Sequence, residues 1–137
     1  DERAAEENVM KKRIWAGRIL SGLGVAFLVF DIVIKFTGST PVIEAMERLG
    51  YPIRMAPVIA LLEIPCLVLY LIPRTSVLGA LLWTAFLGGA TASQVRIGEP
   101  LFSHILFPSY VALFLWGGLW LRNDRLRALL PVARQQA

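Results

Sequence analysis

Few residues in this chain could do chemistry, and Glu63 stands first among them. It lies near the middle of the run 55–72, MAPVIALLEIPCLVLYLI, which is long enough to cross a bilayer and carries no other charge. A charge at mid-membrane costs ~2.5–3.5 kcal/mol on insertion scales, so this carboxyl group is expected to face protein or a wet cavity. Two chemistries suit it there: orienting the polar end of an apolar ligand, or exchanging a proton with a lipophilic substrate. Lys35, Arg96 and Arg18 are the cations that could reach it. Pro65, two residues on, removes a backbone N–H beside the acid and predicts a kink able to open a pocket.

The other polar candidates are Asp31 and Lys35, four apart on one helical face, then Gln94, Arg96 and Glu99, then His104 and Tyr110. A single histidine excludes bis-histidine haem within the chain, and with one cysteine no zinc or iron–sulfur site is expected. Cys66 sits inside an apolar run and reads as a small core residue. No G-x-S-x-G elbow, P-loop or dinucleotide fingerprint is present, and Ser103-His104 is too bare to define a nucleophile and its base.

The elements that must position these residues follow from composition. At 137 residues and 56% hydrophobic, the chain lacks the polar surface a soluble domain needs. The excess falls in four apolar blocks, 14–36, 55–72, 77–95 and 101–121. The expected fold is therefore all-α: an integral membrane four-helix bundle. A short interfacial helix is expected between the first and second transmembrane helices, where Val42, Ile43, Ala45, Met46 and Leu49 share one side and Glu44, Glu47 and Arg48 face water. Gly17, Ser21 and Gly24 form a small-residue stripe for close helix approach, as do Gly79, Gly88, Gly89, Ala90 and Ala92 in the third block. Trp116 and Trp120 fit an aromatic belt.

Residues 1–13 read as a polar tail without a secretory signal, 14–121 as the membrane domain, and 122–137 as a basic tail. The net charge of +4 is spread beside apolar blocks rather than over one polar face, which points to lipid headgroups and not to nucleic acid. Lys11, Lys12, Arg13, Arg74, Arg122, Arg125 and Arg127 crowd the side that holds both termini, so both termini are expected in the cytoplasm, at the inner membrane. That orientation brings Asp31, Lys35, Gln94, Arg96, Glu99 and His104 to the outer helix ends. Glu63 then lies eight or nine residues deeper, roughly 13 Å down.

The ensemble of TG…ERLGYP, ALLEIPCLVLYLIPR, GALLWTAFLGGATASQVRIGEPLFSHILFP and WGGLWLRNDRLRALLP resembles the DoxX-like family of small four-helix bacterial membrane proteins. The resemblance covers most of 14–131 and matches Glu63 to the family's acid. It implies an accessory role beside a membrane redox-enzyme partner, with a quinone or lipid as ligand. Many relatives carry a histidine at the position of Gln94, so it implies weaker grounds for catalysis here; Arg96 and the GEP at 98–100 are retained. Three functions follow as expectations. One is a binding or accessory subunit with Glu63, Asp31, Lys35, Gln94, Arg96, His104 and Tyr110 around the ligand. The second is a small membrane enzyme using Glu63 as proton donor or acceptor. The third is a structural or assembly protein, with homo-oligomers built through its small-residue faces.

Overall fold

The computed structural model describes residues 1–131, and among them every regular element is helical. Helix α1 runs Glu2–Lys35, α2 Thr40–Leu49, α3 Ala56–Leu71, α4 Ser76–Arg96, α5 Phe107–Arg122 and α6 Asp124–Leu129. Four stretches are long and apolar enough to cross a membrane: Glu2–Lys35, Ile53–Leu71, Ser76–Arg96 and Leu101–Arg122. With 34 residues α1 is about 51 Å long, well beyond a hydrocarbon layer of about 30 Å. Its polar first turns therefore continue the same helix into water, where Glu7 and Lys11 pair at 2.6 Å.

The four long helices pack in a ring, α1 against α5 and α3, and α4 against α3 and α5. Leu28, Ala60, Trp83 and Leu115 fill the centre, one from each helix. Leu23, Phe30, Leu62, Leu81 and Leu113 point outward. Apolar side chains thus cover both the inside and the outside, as a lipid solvent requires. This is a multi-pass membrane protein.

Helix α2 has the amphipathic pattern its sequence predicts. Val42 and Met46 are buried against Ala56, Ile34 and Ile59, while Glu44, Glu47 and Arg48 are exposed. Apolar contact alone would hold so short a helix weakly, and α4 with the link that follows it adds polar ties. Arg96 donates to the Leu49 carbonyl at the end of α2, Arg48 pairs with Glu99 at 3.0 Å, and the Tyr51 and Ser93 hydroxyls meet at 3.2 Å. Arg96→Gln is expected to speed amide hydrogen exchange in α2 about fivefold, with α3 and α5 unchanged. Equal exchange in both proteins would deny Arg96 this role.

The fourth apolar block differs from the single helix its sequence suggests. Residues Leu101–Ile105 form a π-helical turn, in which the Ile105 N–H reaches the Pro100 carbonyl at 3.2 Å and Leu106 reaches Leu101 at 2.9 Å. Pro108 then opens α5. It has no N–H to donate to the His104 carbonyl, so a regular α-helix cannot run through this point.

At the other end Asn123 caps α6 by accepting from the backbone N–H groups of Arg125 and Leu126 at 3.1 and 3.2 Å. Leu126 buries itself against the bundle, and the Trp120 indole donates to the Leu130 carbonyl at 3.1 Å. Part of the expected basic tail is thus a helix docked on the bundle; its remainder, 132–137, lies outside the described residues. Arg13 of α1 donates to Asp124 of α6 at 2.8 Å. That contact puts the two ends of the described chain on one side of the membrane.

Candidate functional site

Lys35 closes α1, and its side chain had two directions open to it. It could snorkel outward to the headgroups. The Cα–Cβ bond of a helical residue leans toward the helix N-terminus, however, which here means toward the membrane interior. The ammonium follows that lean: it contacts Asp31 Oδ2 one turn earlier and donates to Glu63 Oε1 on α3 at 2.5 Å. One cation therefore joins two carboxylates on two helices.

Exposure falls across the three groups. The Asp31 side chain is 34% exposed, Lys35 16% and Glu63 0%. Asp31 is the wet end, where its charge is partly screened, and Glu63 the dry end, where an unpaired charge would be costly. Phe86 of α4 adds an aromatic face, its ring centroid 5.9 Å from Lys35 Nζ. Trp83 stands edge-on to Phe86 at 5.6 Å. Two buried polar atoms in this part of the core have no hydrogen-bond partner among the described residues: Glu63 Oε2 and Trp83 Nε1. Two acids against one ammonium leave the cluster one negative charge in excess when all are ionised, and a buried acceptor stays open.

The remaining sequence-predicted residues have other partners. Arg96 and Glu99 secure α2, as described. His104 Nδ1 lies 2.8 Å from the neighbouring Ser103 hydroxyl, and the Tyr110 hydroxyl donates to the Phe102 carbonyl at 3.0 Å; both contacts belong to the π turn. Gln94 Oε1, near the C-terminal end of α4, is buried and has no hydrogen-bond partner among the described residues. Arg18 is exposed, over the Trp15 ring at 5.6 Å. Asp31, Lys35 and Glu63 come together; Gln94, Arg96, His104 and Tyr110 make no hydrogen bond to them.

A second polar chain, which sequence reasoning missed, threads the other half of the bundle. The Tyr70 hydroxyl donates its one proton to the Leu115 carbonyl at 2.7 Å, so the Ser21 hydroxyl 2.8 Å away must donate to Tyr70. Ser21 is then free to accept from Arg122 Nη2 at 2.9 Å, while Arg122 Nε donates to the Gly118 carbonyl at 3.1 Å. α1, α3 and α5 are stitched together at a single level. A tyrosine inside an apolar run, opposite a serine in a small-residue stripe, was the available signal.

Residues 19–118 match the family model of the DoxX-like family. The chain belongs to that family. The matched span holds all seven candidate site residues, and the Asp31–Lys35–Glu63 cluster is therefore a feature of the DoxX-like segment. Helix α6 lies beyond it. No curated protein and no solved structure matches the chain.

Proposed function

We propose that this DoxX-like protein is a membrane binding or accessory subunit that holds the polar end of an apolar molecule, a quinone or a lipid, at Glu63. The observation that carries this reading is the open Glu63 Oε2, fully buried on a carboxylate whose other oxygen is held by Lys35. Buried polar groups are almost always satisfied, and one left open in a bundle core invites a donor from outside the chain. Two open cavities lie elsewhere, at the end that carries the termini. In this reading the ligand reaches Glu63 laterally, between helices. Pro65 leaves the Leu61 carbonyl without its backbone donor, which loosens α3 beside the acid. A lipophilic ligand entering from the bilayer would serve a membrane redox partner in the same plane.

Mass spectrometry of small molecules that copurify in mild detergent tests this, wild type against Glu63→Gln. A quinone or one lipid species retained by the wild type and reduced about tenfold or more in the variant is expected. Bulk phospholipid in equal amounts from both would overturn the reading.

Self-association is a second reading, favoured by α4. Gly88 and Gly89 have open space where a side chain would stand, so a second helix could approach them closely. Crosslinking in native membranes that yields monomers alone would remove it. The excess of basic residues on the terminal side supports termini in the cytoplasm of an inner membrane. Labelling of single cysteines in either tail from outside intact cells would contradict that orientation.

A further inference from the structure

At the terminal end a cavity of about 390 Å³ opens between the α3–α4 link and the junction of α5 with α6. Its polar lining is rich in donors: Arg122, Asn123 and Arg125. The carboxylate of Asp124 also reaches the cavity, but it is already engaged by Arg13 at 2.8 Å and Arg127 at 3.5 Å. The Asn123 side-chain oxygen is committed to capping α6, which leaves the amide nitrogen as its available donor.

Arg122 is the telling residue. It is half-buried, and among the described residues both of its hydrogen bonds go to neutral acceptors, the Gly118 carbonyl and the Ser21 hydroxyl. A guanidinium withdrawn from water without a counter-ion is costly, and an anion in the cavity would relieve that cost. Planar guanidinium groups bind phosphoryl oxygens through parallel N–H donors, and Arg125, exposed and without a carboxylate partner among the described residues, stands beside Arg122 to share the work. The depth is right for a headgroup. Trp116 and Trp120 lie six and two residues before Arg122, and Pro73 and Leu119 give the cavity an apolar wall.

We infer that this cavity is a binding site for a phosphate-bearing anion, and that an anionic phospholipid headgroup is the ligand its apolar wall suits. It is separate from Glu63, and its polar donors Arg122, Asn123 and Arg125 lie beyond the family-matched span.

The test is titration of the detergent-purified protein with short-chain phosphatidylglycerol, phosphatidylcholine or inorganic phosphate, read by native mass spectrometry and thermal unfolding. Phosphatidylglycerol is expected to bind in preference to phosphatidylcholine, with affinity reduced about fivefold in Arg125→Gln. Lys12→Gln, at the same membrane face but outside the cavity, should bind as the wild type does. Arg122→Gln should weaken binding further, but it also breaks the Ser21 bond, so Arg125→Gln is the deciding variant. Competition by inorganic phosphate at equal concentration would support the site with free phosphate as its source; lipid binding indifferent to phosphate would assign it to the headgroup. Unchanged affinity in Arg125→Gln, or an equal loss in Lys12→Gln, would overturn the proposal in favour of diffuse surface attraction.

Discussion

Lys35→Met is expected to destabilise the bundle by about 3–5 kcal/mol, the cost of removing one partner from a buried ion pair. The substitution keeps most of the side chain's length and its apolar stem. It removes only the ammonium that joins Asp31 and Glu63 across α1 and α3. Glu63, with no exposure to solvent, would then sit in the core with neither oxygen satisfied. Asp31→Asn should cost much less, because a third of that side chain is exposed and the Lys35–Glu63 bond remains. The double variant Lys35→Met/Glu63→Leu should recover most of the lost stability, since apolar replacements of a buried pair are often neutral or better. Unfolding in mild detergent measures all four proteins. If the double variant were as unstable as the single one, the loss would come from packing around Lys35 and not from a stranded carboxylate.

The second large effect is at Gly79. A Cβ there would overlap the Tyr70 backbone nitrogen and lie 2.5 Å from its Cα and 2.7 Å from the Leu69 carbonyl carbon. Every obstacle is main chain, so no side-chain rotation can make room and α3 itself must shift. Overpacking usually costs about 1–3 kcal/mol; Gly79→Ala is expected at or above the top of that range, about 3 kcal/mol. The shift would also carry Tyr70 away from Ser21 and the Leu115 carbonyl, breaking the polar chain across three helices. Gly88→Ala is the matched control, in the same helix with nothing within 4 Å of the added carbon. It should be neutral, or stabilising by up to about 1 kcal/mol through helix propensity. Equal losses at the two positions would mean that the close α3–α4 crossing does not set the cost.

The fold was legible because membrane spans are written in length and hydropathy, which are local properties. The four blocks, the amphipathic piece before α3, and the stripe Gly17–Ser21–Gly24 all read directly from residue type and spacing. The stripe is buried against α5, where a Cβ on Gly118 would overlap Ser21 Oγ. The break between the π turn and α5 was harder. Pro108 was visible, but proline within an apolar block fits either a kinked span or a new helix start, and packing decides between them.

The site was legible in part. Glu63 declares itself by the cost of a charge in that position, and Asp31 with Lys35 by their spacing. Which cation reaches Glu63 depends on helix rotation and on the ring order of the bundle, neither of which spacing fixes. Arg96, Lys35 and Arg18 were all candidates by sequence. Lys35 reaches the acid because its stem leans inward toward α3, while Arg96 ends α4 beside α2 and binds the Leu49 carbonyl there. His104 and Tyr110 were singled out by their polar character; His104 contacts the adjacent Ser103, and the Tyr110 hydroxyl on α5 donates back to Phe102 in the π turn. The Arg122–Ser21–Tyr70 chain escaped notice because its members are 101 and 49 residues apart in sequence.

The most direct measurement of the central claim, that a ligand's polar end lodges at Glu63, is photolabelling of the protein in lipid nanodiscs with a diazirine-bearing prenylquinone analogue. The crosslinked residues would be mapped by tandem mass spectrometry in the wild type and in Glu63→Gln. The account predicts adducts concentrated around Asp31, Lys35 and the Glu63–Pro65 stretch, suppressed by unlabelled quinone and lost in the variant. Adducts confined to outward residues such as Phe30, Leu62 and Leu113, in the same pattern with and without the Glu63 carboxylate, would contradict it.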